Sequence, residues 1–175
     1  PYTIVEKDEG PGGTWWENTY PGARVDVGNH FYCYSFEPSD HWTEFFAQQG
    51  ELQRYFQGVM EKYGVDEHVR WSTEVVSTTW DDESGTWQVV VRSVDADGEP
   101  TGEPETLVAR AVITAVGQLN RPSIPDIAGR DDFSGPQFHT ARWDHSVDLT
   151  GKRVAMIGAV ASVSAVPPAA WIFSA

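Results

Sequence analysis

The run Ala111-Val112-Ile113-Thr114-Ala115-Val116-Gly117 leaves few choices to the chain that contains it. Small, mostly apolar residues without alternation suit a strand covered on both faces, the environment of a parallel sheet packed between helices. Two other segments read the same way. Thr3-Ile4-Val5-Glu6-Lys7 is a short buried strand that ends in charge and runs into the turn-rich residues 8–13. After Gly151-Lys152-Arg153, Val154-Ala155-Met156-Ile157-Gly158 is a strand meeting a glycine turn, the start of a second α/β unit. Strands that end in such turns indicate the α/β class.

Between these runs, Leu52, Tyr55, Phe56, Val59, Met60 and Tyr63 recur at the spacing of one helix face, and Gly64 follows as a stop. That aromatic stripe is read as packing against a sheet. Residues 75–80 and 86–91 read as strands joined by the turn formers Asp81-Asp82-Glu83-Ser84-Gly85, and residues 106–109 as a third strand, together an antiparallel meander inserted in the α/β frame. Pro122 and Pro125 make residues 118–127 an extended linker.

With 40% hydrophobic and 13% aromatic residues the chain is globular, but 175 residues are few for two complete nucleotide-binding domains. A net charge of −14 argues against nucleic acid and anionic membranes, whose phosphates call for clustered Lys and Arg. Small anionic cofactors remain open to it, because backbone N–H groups hold them at short range. The single cysteine, Cys33, forms no internal disulfide, suits packing, and fits a reducing cytoplasm. The start of the chain carries no signal-peptide pattern, and the apolar residues 159–175 are interrupted by Ser162, Ser164, Pro167 and Pro168, a poor membrane span, so a soluble cytoplasmic protein is expected. Nothing in the pattern suggests a metal site, and oligomeric state is left open.

Glu6, ending its strand, is either a charged strand terminus or the carboxylate that a dinucleotide-binding unit offers to ribose hydroxyls; the glycine fingerprint that would precede it lies, on that reading, before Pro1. The segment Gly12-Gly13-Thr14-Trp15-Trp16-Glu17-Asn18-Thr19-Tyr20-Pro21-Gly22-Ala23-Arg24-Val25-Asp26 sets glycines, which let a ligand approach the backbone, beside aromatics that can lie against flat rings. With Tyr32-Cys33-Tyr34-Ser35-Phe36 it resembles the flavin-proximal segment of Baeyer–Villiger monooxygenases. Phe133-Ser134-Gly135-Pro136-Gln137-Phe138-His139-Thr140-Ala141-Arg142-Trp143-Asp144 is similar to that family's fingerprint, Phe-x-Gly-x-x-x-His-x-x-x-Trp-(Pro/Asp), at every fixed position.

The resemblance implies a protein that uses FAD, NADPH and O2 to turn a ketone into an ester or lactone. It implies that residues 1–117 are part of a Rossmann-like FAD-binding domain, 118–150 an interdomain linker carrying the fingerprint, and 151–175 the start of an NADPH-binding domain. Asp26 is then expected beside the flavin, paired with an arginine beyond residue 175, although a carboxylate in a loop is ordinarily only solvated. Gly13, Thr14, Trp15 and Tyr32 are expected near the flavin or nicotinamide, and Gly117 at the close of the sheet. Val75 would give backbone contacts to adenine, or be an ordinary strand residue. His139 couples the two domains on this resemblance; taken alone it is a linker histidine bonded to backbone. Phe133, Gly135, Trp143 and Asp144 complete the fingerprint, with Phe133 and Trp143 as packing residues.

Gly158 opens the second glycine turn, which then departs from the pattern: Val160 stands where a glycine would let pyrophosphate approach, and Pro167-Pro168 fall where a helix should begin. No regular helix is expected after Gly158, as would follow a frameshift, and unpaired sheet edges predict poor solubility for the chain by itself. Residues 15–36 look closest to the 4-hydroxyacetophenone monooxygenase branch, implying an aryl ketone. A catalytically inert remnant, and a related flavin enzyme oxidising amines or sulfides, are the alternatives.

Overall fold

Turn chemistry and alternation account for the largest sheet. In the computed structural model, which describes residues 1–119, 121–158 and 172–173, Asp81 starts a turn that Gly85 closes at φ +63°, donating its amide to the Asp81 carbonyl at 2.9 Å. The flanking strands β3 (Thr73–Asp81) and β4 (Thr86–Ser93) pair antiparallel, and β5 (Glu105–Ala109) adds to the far side of β4, giving the order β3-β4-β5. Val89 and Val91 alternate into the buried face of the central strand. Trp80 and Trp87 sit opposite each other across the turn end, rings 5.5 Å apart, and a bulge at residues 75–77 bends β3. The meander read from sequence is present.

Two short parallel strands, β1 (Ile4–Val5) and β2 (Val69–Arg70), complete the first of two units, residues Pro1–Pro11 and Gln57–Val116. β1 is shorter and more exposed than its apolar sequence suggests, with Ile4 at 37%.

The strand expected at residues 111–117 does not form. Those residues have no regular structure, Ile113 is 90% and Val116 70% exposed, and Gly117, expected to close a sheet, ends the run exposed at φ +73°. A parallel strand exists only where neighbours supply its hydrogen bonds, and among the described residues none flanks this run.

The second unit comprises Gly12–Phe56 and Gly117–Ala175. Its elements are the one-turn helix α1 (Thr14–Glu17), the first half of α2 (Gln49–Lys62), and a parallel sheet in the order β6-β8-β7 made by β6 (Phe138–His139), β7 (Met156–Ile157) and β8 (Ile172–Phe173). Its core is Trp15, Val25, Ala47 and Leu52, with Tyr32, Trp42 and Phe56 packed against it. Helix α2 ends as its sequence requires: Gly64 takes φ +62° and the Val65 amide returns to the Met60 carbonyl at 2.9 Å. Leu52 and Val59 of the expected stripe are buried, whereas Tyr63 is 50% exposed. The absence of a helix expected after Gly158, and the turn containing Val160, concern residues 159–171, which lie outside the described residues. Among the described residues no helix is long and apolar enough to cross a membrane.

Candidate functional site

The glycine pair at the head of the aromatic loop is required by backbone geometry. Gly12 has φ +128°, and a Cβ there would lie 3.1 Å from the Trp16 amide nitrogen; Gly13 has φ +51° with nothing within 4 Å of where a Cβ would stand. The pair turns the chain into α1, whose first amides return to the Gly12 and Gly13 carbonyls. Trp15, 7% exposed, then enters the core and donates its indole N–H to the Tyr32 hydroxyl at 3.0 Å, while the Gln49 carboxamide donates to the Trp15 carbonyl. Thr14 and Gly13 stay exposed beside it.

Further along, alternation decides which side chains face out. Ala23 and Val25 are buried and tied to residues 47–49 by the bonds Val25 N–H to the Ala47 carbonyl, 3.0 Å, and Gln49 N–H to the Ala23 carbonyl, 2.8 Å. Arg24 and Asp26 therefore project to the other face, exposed, and Arg24 pairs with Glu44 at 2.9 Å. Asp26 has no ion-pair partner among the described residues. Asn29, 2% exposed, holds the facing loop: its amide group donates to the Glu44 carbonyl at 2.6 Å and its oxygen accepts the Ala47 amide at 2.7 Å.

The fingerprint explains itself sterically. A Cβ at Gly135 would lie 2.5 Å from Phe133 Cζ, so Phe-x-Gly is one packing unit in which the ring occupies the space glycine leaves. Phe138 and Trp143 meet edge to face at 5.1 Å. Asp144 accepts from the Ser146 hydroxyl at 2.6 Å and from the Ser146 amide at 2.9 Å, bonds that hold its carboxyl below the usual carboxylate range and fix the turn after Trp143. His139 is 5% exposed; its Nδ1 accepts the Ala141 amide at 3.1 Å, and its Nε2 is buried with no hydrogen-bond partner among the described residues. Burial pushes the imidazole pKa down, and the charge of Arg142 adds to that, so the ring is neutral with its proton on Nε2.

The aromatic loop and the fingerprint segment, far apart in sequence (126 residues from Thr19 to His145), meet at three points. Arg142 pairs with Glu17 at 3.0 Å, the Thr19 hydroxyl bonds His145 Nε2 at 2.8 Å, and the Tyr20 and Trp143 rings lie 6.3 Å apart. Trp15, Tyr32, His139, Trp143 and Asp26 thus belong to one unit together with Gly13, Thr14, Phe133, Gly135, Asp144, Gly117 and Gly158. Glu6 and Val75 belong to the other. There the Glu6 carboxylate accepts the Asp8 amide at 3.0 Å, and Val75 is 48% exposed beside the bulge of β3. Sequence reasoning assigned no role to Glu17, Arg142, Asn29 or Gln49. For the first two a signal existed, opposite charges inside the two motifs; a lone sequence carries none for the buried amides. Among the described residues no group of three or more His, Cys, Asp or Glu could hold a metal ion.

The described elements, short parallel strand pairs with an antiparallel sheet and an aromatic loop against a fingerprint turn, are of the mixed α/β class, and the solved structures they superpose on are flavoprotein monooxygenases with a Rossmann-like fold. Residues 17–169 match the family described as FMO-like, flavin-binding monooxygenase-like, and the chain belongs to that family. It is 39% identical over 168 residues to a Baeyer–Villiger monooxygenase of Streptomyces coelicolor, covering 95% of this chain and 30% of that protein. Among solved structures, cyclohexanone monooxygenase from Rhodococcus sp. Phi1 bound to NADP+ superposes with TM-score 0.70 at 34% identity, over 86% of this chain and 27% of that one. The OTEMO complex with FAD and NADP does so with TM-score 0.72 at 33% identity, over 86% and 29%. The chain therefore spans under a third of the length of the proteins it matches.

Proposed function

We propose that this chain is part of an FAD- and NADPH-dependent Baeyer–Villiger monooxygenase, in which ketone, O2, NADPH and a proton give ester or lactone, water and NADP+. The observation that carries the reading is the three-point junction of the aromatic loop with the fingerprint, Glu17 to Arg142, Thr19 to His145 and Tyr20 to Trp143. The activity belongs to a protein containing this segment; for the 175 residues alone no turnover is expected, because Asp26 lacks a cationic partner among the described residues.

The residues present fit a flat, anionic cofactor. Gly13 leaves open space beside its backbone, and the buried Nε2–H of His139 is a donor awaiting an acceptor. Bound FAD, reduced by NADPH, supplies the electron transfer to O2. Gly13 would let the cofactor approach the main chain, Gly12 makes the turn that places it, and the Trp15–Tyr32 bond holds the adjoining loop. Asp26 presents a carboxylate to position an active-site cation, and Thr14 offers a hydroxyl. Toward a bound dinucleotide, Glu6 would offer its carboxylate to ribose hydroxyls and Val75 its backbone to adenine, while Gly117 would end the FAD-side segment and Gly158 begin the turn for NADPH. Accordingly residues 1–117 serve the FAD domain, 118–150 the linker and 151–175 the NADPH domain. An aryl ketone is the substrate favoured by the similarity of residues 15–36 to the 4-hydroxyacetophenone monooxygenase branch, and the protein works in the cytoplasm.

The test is to incubate the full-length, FAD-loaded protein with NADPH, O2 and a panel of cyclic, aliphatic and aryl ketones beside a thioether and a tertiary amine. Ester or lactone from at least one ketone is expected. Formation of sulfoxide or N-oxide alone, with every ketone recovered, would move the assignment to the amine- and sulfide-oxidising relatives.

A further inference from the structure

Glu17 lies in the aromatic loop with only 13% of its side chain exposed, an uncommon place for a carboxylate unless it is paired; its partner is Arg142 of the fingerprint segment, 3.0 Å away. Arg142 uses its other terminal nitrogen to donate to the Ala141 carbonyl at 2.7 Å. The Ala141 amide in turn donates to His139 Nδ1 at 3.1 Å, inside a turn where His139, Thr140 and Ala141 are all buried. A planar guanidinium reaches a carboxylate and a carbonyl at once in a way an ammonium does not. Contacts from Glu17 through Arg142 and from His139 thus converge on the two peptide groups that flank the Ala141 Cα, and the second ring nitrogen, Nε2, has no partner among the described residues.

We propose that Glu17 is a positioning residue for His139: by holding Arg142 it anchors the Ala141 carbonyl, in the peptide that follows Ala141, and so fixes the backbone of Ala141 that aims the preceding peptide's N–H at Nδ1, keeping the imidazole in its Nε2–H tautomer and leaving one buried donor for an acceptor oxygen carried by a ligand. Thr19 bonding His145 and Tyr20 lying against Trp143 brace the same turn on its other side, so the loop grips the fingerprint at both ends of the Arg142-Trp143 step. The role of the donor toward a cofactor rests on the flavin monooxygenase reading; the control of tautomer by Glu17 rests on the contacts alone.

The experiment is nitrogen-15 NMR of the His139 imidazole in the full-length protein and in its Glu17→Gln, Glu17→Asp and Arg142→Lys variants. The unsubstituted chain should show the Nε2–H tautomer alone. Glu17→Gln should raise the Nδ1–H population about fivefold or more, the ratio that one net hydrogen bond of ordinary strength controls, and Glu17→Asp should restore most of the original ratio. Should Glu17→Gln fail to fold, Arg142→Lys carries the same expectation, since it keeps the charge but loses the reach to the Ala141 carbonyl. A folded Glu17→Gln or Arg142→Lys with the tautomer ratio unchanged, or a parent chain already in the Nδ1–H form, would overturn the proposal. Because no turnover enters this readout, a full-length protein that fails to oxidise ketones would leave the tautomer result standing, and the reverse holds equally.

Discussion

The Trp15 indole N–H donates to the Tyr32 hydroxyl at 3.0 Å, the two rings meeting almost perpendicular, 86° apart in plane and 5.8 Å between centroids. One bond therefore ties the head of the aromatic loop to residues 29–36 across the core. Tyr32→Phe keeps the ring contact and strands the indole donor, which costs about 1 kcal/mol. Chemical denaturation of the parent and the variant checks this; equal midpoints would show that the indole finds another acceptor.

Asn29 satisfies a carbonyl and an amide of the facing loop from a site 2% exposed. Asn29→Ala leaves both backbone groups without their partner, and a loss on the order of 3 kcal/mol is expected from two buried groups. A loss below about 1 kcal/mol in equilibrium unfolding would mean that water or another group replaces the carboxamide at both places.

Phe133 and Gly135 are expected to couple. Gly135→Ala alone forces the Phe133 ring aside and, because that ring is 40% exposed and can swing outward, should destabilise by about 1 kcal/mol or less, whereas in a Phe133→Ala background the added methyl meets no ring and the same change should be close to neutral. A double-mutant cycle with additive effects contradicts the steric origin of the Phe-x-Gly spacing.

Stability should depend on pH through His139. Burial, and then the Arg142 charge, lower its pKa in the folded state, so between that value and the unfolded value near 6.5 the unfolded chain binds more protons. The contribution is fully present above the unfolded pKa and is lost as pH falls toward the folded one. Replacing His139 with Gln should flatten that part of the stability profile; an unaltered slope below pH ~6.5 would place the titration elsewhere.

Much of this was legible in the chain. The meander could be read because Asp81 to Gly85 is a turn with its own chemistry and because Val89 and Val91 alternate, both local properties. Helix α2 was legible for the same reason, Gly64 supplying the positive φ its end requires. The strand at residues 111–117 was misread because apolarity reports what a segment would bury, whereas a parallel strand also needs neighbours, and those are a property of the whole sheet. Asp26 faces outward by simple alternation with Val25, which a close look at Ala23-Arg24-Val25-Asp26 allows. The opposite charges of Glu17 and Arg142 were visible inside the two motifs but their pairing was not, since it depends on a contact between distant segments, and nothing local announces the two bonds of Asn29.

Oxygen tracing reaches the central claim most directly. The full-length FAD-loaded protein, supplied with NADPH, a ketone it accepts and 18O2, should yield ester or lactone carrying one heavy oxygen atom, with one NADPH consumed for each product molecule. NADPH oxidation that ends only in labelled hydrogen peroxide, with no labelled ester from any cyclic, aliphatic or aryl ketone, would contradict it.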